Sequence, residues 1–92
     1  MGEAPTAMGV AEFMVTYVHE HPVMYSDMIA QLILRHFGEA FVAREEAGAV
    51  GPSPEVLSAF KRVAKDEVVW ATHSRFWRLR QLGDGPGRQV RE

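Results

Sequence analysis

Apolar residues recur along the chain with spacings that define a small set of elements. Ala11, Met14, Val15 and Val18 follow the i, i+3, i+4, i+7 repeat of a helix face. Val10, Phe13 and Tyr17 add a second apolar strip beside it, and Glu12, Thr16, His19 and Glu20 fill the remaining sector. Thr6 is placed to cap this helix after a flexible lead over residues 1–5. Pro22 ends it near Glu20, because proline lacks an amide donor and its ring clashes with the preceding turn. Val23-Met24-Tyr25 then reads as a short extended piece. A second helix is expected from Ser26, as N-cap, to about Phe37, with Asp27 favouring its dipole and Gly38 stopping it. Its polar strip is narrow (Asp27, Gln31, Arg35), so Met28, Leu32 and His36 stand in surplus to a single buried stripe.

Beyond Gly38 the period changes. Phe41–Arg44 and Ala49-Val50 read as two short strands around a turn at Glu45–Gly48, where glycine supplies positive φ. Gly51-Pro52-Ser53-Pro54 punctuates the chain. Ser53 as N-cap, Pro54 at the first helical position and Glu55 in the first turn form its strongest helix start. The third helix, about Pro54–Lys65, puts Val56, Leu57, Phe60, Val63 and Ala64 on one sector and Glu55, Ser58, Lys61, Arg62 and Lys65 on the other. Val68–Trp70 and Phe76–Arg80 read as a hairpin joined by residues 71–75. Alternation sends Trp77 and Leu79 to one face and Phe76, Arg78 and Arg80 to the other. A single domain over residues 1–82 is expected, followed by a flexible, glycine-rich tail over 83–92.

Composition narrows the function classes. The chain has 92 residues, 47% of them hydrophobic, which suffices for one small core. With no cysteine it has neither disulfides nor thiolate chemistry. No apolar run reaches membrane-spanning length and no leader pattern opens the chain, so the expected setting is cytoplasmic, with no membrane partner. The net charge of −2 excludes a uniformly basic binder but conceals a polarity. Residues 1–52 carry two basic and seven acidic residues, whereas residues 53–92 carry eight basic and five acidic ones. Such a split suits a polar partner or self-association, and equally an ordinary solvated surface.

The order helix, extended piece, helix, helix, hairpin predicts an α+β fold. In the stretch His21–Ala30, and again from Phe60-Lys61-Arg62-Val63 through Val68-Val69-Trp70 to Phe76-Trp77-Arg78-Leu79, the chain resembles winged helix-turn-helix domains over roughly residues 8–80. It departs from them in the fifteen or so residues, Gly38–Pro52, between the second and third helices, a strand-containing insertion able to re-angle or cover helix three. The stretches Phe37–Val42 and Val68–Arg80 are also similar to a family of small uncharacterised bacterial proteins, a resemblance that implies a fold and no activity.

Three functional readings follow. The resemblance implies nucleic-acid binding, with Lys61, Lys65, Arg75, Arg78 and Arg80 for phosphates and Ser58 and Arg62 for base edges. The apolar surplus points instead to protein association, most simply a homodimer through Val10, Phe13, Tyr17, Met28 and Leu32. The third reading, a metal at His19-Glu20-His21, requires unwinding at Pro22 and completion by His36 or His73. No nucleophile elbow or phosphate loop appears, so neither catalysis nor a cofactor is expected. Trp70 and Trp77 suit either base stacking or closure of the core under helix three.

Overall fold

A computed structural model describes residues 4–44, 48–85 and 87–90. It is an α+β structure with three helices, a four-stranded mixed sheet and a separate two-stranded sheet. Helix α1 spans Ala7–Glu20, and the Thr6 side chain accepts a hydrogen bond from the Gly9 amide. Strand β1 (Met24–Tyr25) leads into α2 (Ser26–Phe37). The expected capping by Ser26 does not occur. Tyr25 is the cap residue without a side-chain bond, and the Ser26 amide donates to the Arg75 carbonyl at 3.0 Å. The pairing of β1 with the C-terminal hairpin therefore determines how α2 begins.

Gly38 ends α2 at φ +104°, a conformation that favours glycine. A 3-10 turn over Glu39–Phe41 precedes β2 (Val42–Arg44), which pairs antiparallel with β3 (Val50–Pro52). Pro52, expected as punctuation, is the last residue of strand β3. It is tolerated because a two-stranded sheet consists only of edges. Gly48 has the positive φ expected of the turn, while residues 45–47 of that turn lie outside the described residues.

Helix α3 spans Pro54–Ala64, capped by Ser53, whose hydroxyl accepts from the Val56 amide. Its apolar face packs mainly on α1, and α2 packs on β3. Val10, Met14 and Val18 of α1, Ile29 and Ile33 of α2, and Val56 and Phe60 of α3 form one buried cluster with Met24.

Strands β4 (Val68–Ala71) and β5 (Phe76–Leu79) form the predicted hairpin, closed by the Arg75 amide donating to the Ala71 carbonyl at 2.8 Å. Strand β1 extends the sheet beside β5, with Met24 opposite Trp77. The expectation of a free tail from Gly83 is corrected on the far side. Strand β6 (Gln89–Val90) pairs parallel with β4, and the sheet order is β1-β5-β4-β6. Trp70 and Thr72 donate backbone hydrogen bonds to the carbonyls of Arg88 and Val90. No helix among the described residues is long and apolar enough to cross a membrane.

Candidate nucleic-acid interface

Opposite Trp77, register places Trp70 on the same face of the hairpin. Their rings lie 4.4 Å apart, and Trp77 meets Phe60 of α3 edge-on at 5.7 Å. These aromatic residues, with Leu57, Ala64 and Val68, line an open cleft of about 910 Å³. Ala43, Arg44 and Pro52 from the two-stranded sheet and Gly87, Arg88 and Gln89 from the C-terminal segment also line it. Both tryptophans are half-buried; Trp77 packs against the buried cluster, and Trp70 packs on Trp77.

Around this apolar floor stand Arg44, Lys61, Lys65, Arg75 and Arg88, all exposed. The described lining residues include no Asp or Glu. Lys61 lies on the last turn of α3 and Lys65 just past its end, where it leaves the helix at φ 53°; both line the cleft. Arg75, held at φ 59° in the hairpin turn, carries its guanidinium over the Trp70 ring at 5.7 Å. The arrangement offers aromatic rings and exposed positive charges lining one cleft.

The other residues predicted for this role are placed elsewhere. Ser58 and Arg62 are exposed on α3 but do not line the cleft. The Arg78 and Asp84 side chains, 8% and 11% exposed, form a two-pronged pair at 2.9 and 3.0 Å. Arg78 also donates to the Leu79 carbonyl. These bonds, with that from the Gln81 amide, hold the Asp84 carboxyl down at about 2. Arg80 donates to the carbonyls of Asp66, Gly85 and Gly87. Both arginines thus fasten the C-terminal segment to the sheet. Alternation had already separated them from Trp77, the face that lines the cleft.

The residues expected at a protein interface are partly consumed within the chain. Val10 is 0% exposed, a core residue with no surface to offer a partner. Phe13 is half-buried against Phe37 and His36, at ring distances of 5.4 and 5.9 Å. Tyr17 stacks on His21, and its hydroxyl donates to the Met28 sulfur at 3.5 Å. Leu32 is half-buried and Met28 is 37% exposed.

The histidine cluster divides. His19 faces Glu67 at 3.8 Å, while His21 turns back to the Tyr17 carbonyl and ring. No group of three or more His, Asp or Glu among the described residues could hold a metal ion.

Two cleft residues escaped the sequence reading. Arg44 lies in the acidic half of the chain, and Arg88 in the segment after Gly83 that reads as a tail. The cue for Arg88 was the Asp84 carboxylate six residues after Arg78, an anchor that continues the fold past the glycines.

Residues 6–79 match the profile of a family of unknown function, DUF6953, and the chain belongs to that family. The match reaches from the Thr6 cap to the end of β5. No curated protein and no solved structure matches the chain.

Proposed function

We propose that this chain is a nucleic-acid-binding domain of winged-helix-like arrangement, working in the cytoplasm through the cleft between α3 and the β4–β5 hairpin. One observation carries the reading: five cations gather around that cleft, and no acidic residue is among its described lining. A phosphate backbone is a polymer of regularly spaced negative charge, and clustered Lys and Arg is the footprint that meets it. The element order, with the short strand before α2 paired to the hairpin, supports the winged-helix comparison. The β2–β3 pair between α2 and α3 gives the cleft one of its walls, which a compact helix-turn-helix lacks.

The test is fluorescence anisotropy of labelled mixed-sequence oligonucleotides at low ionic strength. A rise in anisotropy that reverses with added salt supports the reading, and no rise at any salt concentration rejects it. A second reading, association between copies through α1 and α2, is favoured by the exposed Met28 beside half-buried Tyr17 and Leu32. Sedimentation analysis checks it. A dimer that Met28→Glu dissociates supports it, and a monomer at high concentration excludes it.

A further inference from the structure

We infer that the cleft takes a single strand, with unpaired bases on its aromatic floor and phosphates at its cationic rim. The inference rests on the nucleic-acid reading and specifies its ligand. Its ground is shape combined with charge. A duplex is read by a protruding element that enters a groove, while its own bases stay stacked inside. Here the cations line a concavity whose aromatic residues are the less exposed part: Phe60 is buried and Trp70 and Trp77 half-buried, while Lys61 and Lys65 are exposed. A duplex can reach that rim only with its phosphates, leaving the floor unfilled. A single strand can turn its bases inward while its backbone follows the lysines. Stacking on aromatic rings accepts any base, since every base has a π-face. The volume of about 910 Å³ also lies within the ~300–1,000 Å³ range of small-molecule clefts and cavities, so a free nucleotide shares this chemistry.

The only two tryptophans of the chain, Trp70 and Trp77, both line the cleft, so intrinsic fluorescence reports directly on its occupancy. The full chain is titrated with a DNA strand of about 12 nucleotides, a size within the span of known single-strand sites. The matching RNA strand, the duplex and a mononucleotide are the other arms. The strand is expected to bind more tightly than the duplex and to quench the fluorescence, with the DNA and RNA arms showing which backbone is preferred. Trp70→Leu is expected to weaken strand binding about 5- to 150-fold, and Trp70→Phe to restore much of it. Circular dichroism verifies folding of both variants, and the Phe variant supplies the test if the Leu variant does not fold. Duplex binding that equals strand binding, without quenching, overturns the inference while leaving the nucleic-acid reading intact. A mononucleotide that binds as tightly as the strand overturns it in favour of a small-molecule site. Absence of binding in every arm overturns both.

Discussion

Removing two rim charges should change the salt dependence of strand binding by a calculable amount. The cleft presents Arg44, Lys61, Lys65 and Arg88 as exposed cations, besides the Arg75 that lies over Trp70. For a single strand the slope of log K against log salt is about −0.7 per phosphate neutralised, so four contacts give about −2.8. Raising salt from about 50 to about 200 mM then weakens binding about 50-fold. In Lys61→Gln/Lys65→Gln two contacts remain, the slope falls to about −1.4, and the same salt step costs about sevenfold. Both lysines are exposed and neither contributes to the buried cluster, so the variant should melt as the parent does. Anisotropy with one labelled strand at four or five salt concentrations gives both slopes. Equal slopes would show that these lysines meet no phosphate and would refute the reasoning, whatever the absolute affinities.

Two further predictions concern the scaffold. Ser53→Ala removes the side-chain acceptor for the Val56 amide and should cost about 1 kcal/mol, a loss of roughly 4–8 °C in melting temperature for a domain of this size. An unchanged melting curve would show that the cap contributes nothing. Asp84 titrates in the fold at about 2, below its ordinary 3.8, so its grip on Arg78 is fully present above that ordinary value and is lost as pH falls through about 2. Asp84→Asn should therefore loosen the C-terminal segment already at neutral pH. Faster hydrogen exchange at the Trp70 and Thr72 amides, which bond to the Arg88 and Val90 carbonyls, would report it. Exchange unchanged by the substitution would show that the pair does not hold β6 in place.

Where a local signal decided the structure, it was readable in the residues. The Ser53-Pro54-Glu55 start of α3, the Thr6 cap of α1 and the Gly38 stop of α2 each act within one turn of helix. The hairpin was legible because alternation and aromatic content agree over Val68–Leu79. What escaped depends on distant partners. Ser26 has the chemistry of a cap, but β1 pairing gives its amide to Arg75 instead. Gln89-Val90 is too short to show a period and becomes a strand only because β4 offers it an edge. Arg78 resembles a surface cation until Asp84 folds back onto it. The cleft itself collects Arg44, Lys61 and Lys65, and Arg88 from three separate parts of the chain, and no window of sequence contains them together. Counting charge by halves located the basic half correctly but included Arg78 and Arg80, whose work is structural.

The central claim is that nucleic acid occupies the cleft between α3 and the hairpin, and photochemical cross-linking addresses it most directly. A strand carrying 5-bromouracil is irradiated with the full chain, and the adducts are mapped by peptide mass spectrometry. The account predicts adducts on the peptides bearing Trp70 and Trp77, suppressed by excess unmodified strand. Adducts confined to the Ser58 and Arg62 face of α3, or to the α1–α2 surface around Tyr17 and Met28, would contradict it.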